Sequence, residues 1–285
     1  MVLERSKEKK GTRRREILRL LEFDVDSPSA DIEECQSLQF TLGLSGKDEA
    51  SCVIQSKEVE CWITNSTKSS SLLINGNRPD AAMDDLSPMS LVSAELISLF
   101  SLSKSMVVIS YFCGLHADFH SDSIDGVPAM MKSLIGQLLA QPKDRKLAFD
   151  LSTIKDDDIE RIEEDDLDVL CKMFRRVVLQ LPSDKILFCI IDGISRFETW
   201  PGTEGDILQV LKLLTNLVRK KTGVVIKLLF TCPGDSLSVG DGDEGIGKEV
   251  VVDNVLVVPD FVDGGKYDVW ESDMIEDTIS ALMYL

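Results

Sequence analysis

Four runs of the chain are apolar without alternation, interrupted only at Ser110 and Lys227. They are Leu72–Ile74, Met106–Phe112, Lys185–Ile191 after its first residue, and Val224–Phe230. A strand with one face in water alternates apolar with polar residues. A strand that never alternates is covered on both faces. Stretches with helical spacing separate these runs, including 87–100, 127–141, 165–180 and 207–218. Strands of this kind joined by helices predict an α/β domain of three layers around a mostly parallel sheet. The crossovers are expected to be right-handed.

The chain has 285 residues, of which 44% are apolar, enough for one large domain with appendages. The sequence divides into three parts. Residues 1–50 read as a basic, weakly structured N-terminal arm. A short helix is expected near Arg14–Leu21, and Ser27-Pro28-Ser29 is read as its break. Residues 51–235 carry the core, which opens with an amphipathic helix over Val53–Ile63 ahead of the first strand. Residues 236–285 hold a glycine- and acid-rich loop, a final strand at 251–258 and a C-terminal helix from Tyr267.

The formal net charge is −18, so the core repels phosphate-rich partners and nucleic-acid binding is not expected of it. The exception is the basic cluster Arg5, Lys7, Lys9, Lys10 and Arg13–Arg15, a candidate nuclear-import tail. No run of eighteen apolar residues occurs, which argues against a transmembrane helix. Met1-Val2-Leu3 leads into basic residues and not into an apolar signal segment, so the expected location is the cytoplasm. Seven cysteines without a CxxC pair read as buried thiols of a reducing compartment. His116 and His120 are spaced i, i+4, but Gly114 and the Ser and Asp residues around them argue for a loop and not a metal helix.

In an open α/β sheet, ligands bind beyond the carboxyl ends of the strands. Three such ends carry candidates. At the first, Leu72–Gly76 supplies a strand and an opening glycine, with Gly76 and Asn77 in the turn and Ser87 and Ser90 where the next helix opens. A phosphate loop needs glycine-rich backbone, a lysine for the outer phosphates and a Ser or Thr for magnesium. Residues 78–86 contain no lysine and no second glycine, and they add Asp80, Asp84 and Asp85. Ser87-Pro88-Met89-Ser90 stands where Gly-Lys-Ser/Thr would open the helix. At the second end, Asp192 follows Ile186–Ile191, the placement that magnesium coordination requires. Glu198 lies six residues on as a candidate for polarising a water. At the third, Thr231 ends Leu228–Phe230, placed to sense a terminal phosphate. Cys113, at the end of the 106–112 strand, is a candidate thiol nucleophile.

These segments resemble the STAND-type, NACHT-like P-loop ATPase cores of large fungal proteins over residues 52–235. Val59–Ile63 followed by Leu72–Asn77 looks like the helix and phosphate-loop strand of that family. Val107–Phe112 and Met130–Leu139 look like its next strand and helix, Ile190–Ile194 like its Walker B core, and Leu229–Pro233 like its sensor strand. The resemblance implies binding of ATP or GTP with magnesium. The departures are grouped. The phosphate-loop lysine is missing, Ser195 and Arg196 stand where a second acid is usual, and Cys232 stands near the sensor arginine. The expected function is a catalytically inactive NTPase-like domain working through protein contacts. The alternatives are slow magnesium-dependent hydrolysis and an unrelated hydrolase using Cys113.

Overall fold

The computed structural model describes residues 13–76, 86–117, 126–142, 145, 147–220, 222–242 and 247–262. Helix α1 is described over residues 13–20. It is followed by α2 (Ser27–Thr41), α3 (Leu44–Ile54), α4 (Lys57–Thr64), β1 (Ser70–Asn75), α5 (Pro88–Ser101) and β2 (Met106–Phe112). After a 3-10 turn at Cys113–His116 come α6 (Gly126–Ala140), α7 (Asp156–Glu163), α8 (Leu167–Val178), β3 (Ile186–Asp192), α9 (Ser195–Thr199) and α10 (Glu204–Arg219). The described chain closes with β4 (Val225–Cys232), β5 (Val239–Gly240), β6 (Val250–Val251) and β7 (Asn254–Val257).

Five strands form one parallel sheet in the order β2-β3-β4-β1-β7. The strands β1, β2, β3 and β4 bury both faces, as the unbroken apolar runs require, while the edge strand β7 stays partly exposed. Leu187, Cys189 and Ile191 of β3 enter one apolar cluster with α6, α8 and α10. Phe188 and Ile190 enter the other, with α4 and α5. Two helical layers therefore enclose the sheet, giving the three-layer, P-loop-type α/β architecture. The second layer is centred on aromatics. Phe100 stacks on Phe188 at 4.0 Å between centroids, and Trp62 meets Phe188 edge-on at 5.5 Å.

The order places β4 between β1 and β3. After β1 the chain crosses to the β2 edge through α5, then returns strand by strand through β3 and β4 to lie beside β1 again. The ends of β1, β3 and β4 are thus brought side by side at the reversal of chain direction, where ligand crevices form in such sheets. The β2 edge is closed by side chains. Gln137 of α6 accepts from the Ser110 amide at 2.9 Å and donates to the Ser110 carbonyl at 2.7 Å. Gln141 donates to the Val108 carbonyl at 3.2 Å. These amides stand in for a sixth strand and block edge pairing.

Several expectations change. Residues 13–50 are not weakly structured. Ile17 and Leu21 of the α1 region are in the core, and Phe23 lies so close to Gly136 that a Cβ there would sit 2.2 Å from its ring. Ser27-Pro28 does not break the chain; it opens α2, with proline in the first turn. The helix read over 53–63 is two helices, separated at Gln55–Ser56, where the Ser56 hydroxyl caps α4 by accepting from the Val59 amide at 3.3 Å. The acidic stretch near 156–163 is helix α7. The final strand is split, because β6 pairs with β5 and β7 pairs with β1. Among the described residues no helix is long and apolar enough to cross a membrane. The C-terminal helix expected from Tyr267 and the basic cluster at Arg5–Lys10 lie outside the described residues.

Candidate functional site

Asp192 ends β3 in register with Phe112 of β2 and is 2% exposed. Two elements aim hydroxyls at it. Ser90, in the first turn of α5, donates to Oδ2 at 2.7 Å, and Ser93, one turn further, donates to Oδ1 at 3.3 Å. Their spacing of three places both on one face of the helix. Thr231 of β4 donates to Oδ1 at 2.6 Å and accepts from the Gly193 amide at 3.0 Å. The carboxylate is therefore held inside the protein by three hydroxyl donors. Burial pushes its carboxyl above the usual range, and the bonds from Thr231, Ser90 and Ser93 oppose that shift.

The start of α5 is similarly engaged. The Ser87 hydroxyl accepts from the Met89 amide at 3.2 Å, and the Ser87 amide donates to Ser90 Oγ at 3.0 Å. The amides of Ser90 and Leu91 go to the Ser87 carbonyl, at 2.9 and 3.4 Å. A helix N-terminus binds anions through amides left over; here those of the first turn are directed to Ser87. With Ser90 beside Asp192, Met89 stands where a phosphate-loop lysine would be. It is 1% exposed and packs in the cluster that holds Ile74 and Leu91.

Gly76 has a packing reason for its identity. Its amide donates to the Cys232 carbonyl at 2.8 Å, and a Cβ would lie 2.5 Å from the Pro233 carbonyl oxygen. Only glycine lets the ends of β1 and β4 approach so closely. Gly76, Ser87, Ser90, Asp192 and Thr231 thus gather at the carboxyl ends of β1, β3 and β4. Asn77 and the acids Asp80, Asp84 and Asp85 lie outside the described residues, as does His120.

Glu198 is not available to a water. Its carboxylate accepts from the Ser236 hydroxyl at 2.7 Å and from the amides of Leu237 and Ser238, each at 2.9 Å. It is a structural clamp on the loop after β4. Cys113 is fully buried, and burial, followed by the charge of Asp192, pushes its thiol well up. A thiol so placed is a poor nucleophile, which weighs against the hydrolase reading. His116 pairs with Asp31 of α2 at 2.8 Å and lies against Tyr111 at 4.7 Å between ring centroids. No group of three or more His, Cys, Asp or Glu suited to a metal occurs among the described residues.

Sequence reasoning missed Ser93 and the donors that occupy Glu198. Ser93 had a signal, its spacing from Ser90. Residues 236–238 had none, because they lie 38–40 positions from Glu198.

The sequence model of one family, described as nephrocystin 3, N-terminal, matches residues 49–232. A comparison with curated proteins gave no match.

Proposed function

The chain belongs to the nephrocystin 3 N-terminal family, and from that premise we propose that it is an NTPase-like domain of STAND type that does not turn over nucleotide and works as a regulatory, protein-contacting module. The observation that carries this reading is the state of Asp192, whose carboxylate is buried and accepts from Ser90, Ser93 and Thr231. Holding magnesium against phosphates needs a carboxylate free to reach the ion or its waters. Stabilising charge on the outer phosphates needs a cation, and Met89 supplies none. The groups at this site among the described residues therefore fit a magnesium triphosphate poorly, and no catalytic step is derived through one.

A second reading, weak nucleotide binding, is favoured by the 2.7 Å approach of Ser90 to Asp192, the pairing a magnesium site uses. Calorimetric titration with ATP and with GTP, with and without magnesium, decides between them. The proposed function expects no turnover and no magnesium-dependent heat. Binding abolished by Asp192→Ala would establish the second reading, and multiple-turnover hydrolysis would overturn the first.

A further inference from the structure

Residues 13–23 lie ahead of the stretch that the family model matches, 49–232, yet they pack on it. They run antiparallel along α6. Arg14 donates to the Gln141 carbonyl at 3.2 Å, just past the C-terminal end of α6, while Glu22 reaches Lys132, nearer its start, at 4.0 Å. Between them Ile17 and Leu21 are four residues apart and so share one face of α1. Both enter the cluster that holds Met131, Leu134, Ile135 and Leu138 of α6. The basic end of the arm thus meets the carbonyl end of α6, and its acidic end the amide half, the pairing that the helix dipole favours. An amphipathic helix laid by its apolar face on an apolar groove is a peptide-recognition mode, here with the ligand supplied by the same chain.

Two residues set where this arm parts from the domain. Phe23 is seated against Gly136, where any side chain would collide with its ring, so the chain is pinned there. Glu22, just before the pin, has a φ of 52°. It closes α1: its amide donates to the Arg19 carbonyl at 3.0 Å, and the Phe23 amide donates to the Leu18 carbonyl at 3.2 Å. Glycine is the usual residue at such a closure, because a side chain strains left-handed backbone. The single joint between the docked helix and its anchor therefore carries strain that straightening removes.

We infer that the α6 groove is also an interface between two copies of this chain, which exchange residues 13–21 by straightening at Glu22. Each exchanged arm makes on the other copy the contacts it makes at home, so the exchange gives up none of them and relaxes two joints. The lost freedom of two separate molecules opposes it, so the dimer builds up with concentration. The inference does not depend on what Asp192 binds.

Sedimentation equilibrium of the full chain over a range of concentrations reads the dimer. Glu22→Gly leaves the joint unstrained at home and is expected to weaken dimerisation about tenfold or more, because two joints relax per dimer. An association constant unchanged or raised by Glu22→Gly, or a native chain monomeric at every concentration, overturns the exchange. Cross-linking with a short bismaleimide places the arm. Arg14→Cys and Gln141→Cys in one dilute chain are expected to be bridged within that chain. An Arg14→Cys copy and a Gln141→Cys copy, mixed and concentrated together, are expected to be bridged to each other in preference to Cys61, which is exposed in both and reports chance collision. Bridging between copies through Cys61 alone, or none between copies where the double variant bridges internally, also overturns it.

Discussion

Asp192 and Lys227 are buried charges with opposite histories. The folded state raises the carboxyl of Asp192 through burial, so across the window just above the ordinary carboxylate range the native state holds a proton the unfolded chain has lost. Stability falls as pH rises through that window. Asp192→Asn lacks this dependence, so its stability relative to the native chain should improve from pH 4 to pH 7, as read by urea denaturation. Lys227 is 0% exposed on β4 and donates to Ser70 at 2.9 Å. Burial lowers it from 10.5 to about 8, against the pull of Asp253. Below about 8 both states are protonated and the fold bears the full desolvation cost; between 8 and 10.5 the unfolded state binds more protons, so stability rises with pH. Lys227→Met should therefore be more stable than the native chain at pH 7, by about 1–4 kcal/mol, with the gap closing towards pH 10 in chemical melts. Nothing in the run Val224–Phe230 flags Lys227 as anything but a strand residue, since Ser70 comes from β1 and Asp253 from the turn before β7.

At the scale of elements, the β2 edge depends on two glutamines. Gln137→Ala leaves the amide and carbonyl of Ser110 without the partners that satisfy them. A loss of about 1–3 kcal/mol is expected, with faster hydrogen exchange at Ser110 than at β3 or β4 amides. Element boundaries were legible where local chemistry set them. Ser87-Pro88 reads as a helix start and is one. Ser27-Pro28 has the same grammar and was read as a break, because the residues after it show no apolar stripe. Helix α2 forms without one, resting on α5 through buried Cys35, half-buried Ile32 and Leu38, and the bond from Gln36 to Ser98. The split of the 251–258 strand was equally hidden. Val250–Val251 and Asn254–Val257 look like one apolar run, but Asp253 turns between them, accepting from the amide and hydroxyl of Ser71 at 2.8 and 2.7 Å and so tying β7 to β1.

For the whole molecule, the proposed lack of turnover rests on several residues and not on one. Met89 belongs to the core, Glu198 to a loop clamp, and the first amides of α5 to Ser87. Restoring one part should not restore the activity. Met89→Lys is expected to show no steady-state ATP turnover in a phosphate-release assay. It should also destabilise the fold by about 3–5 kcal/mol, because a buried ammonium there lacks a partner.

The sequence by itself determined the layer architecture and the parallel sheet, because a strand without polar alternation admits only burial on both faces. It also determined the absence of a lysine between Gly76 and Ser90, and the positions of Gly76, Ser90, Asp192 and Thr231 at strand ends or helix starts. Tertiary structure alone decided what those residues do. Whether Asp192 is open to an ion or closed by Ser90, Ser93 and Thr231 depends on β4 lying between β1 and β3, and on which face of α5 turns inward. Both are set by contacts between segments far apart in the chain, which no local pattern encodes.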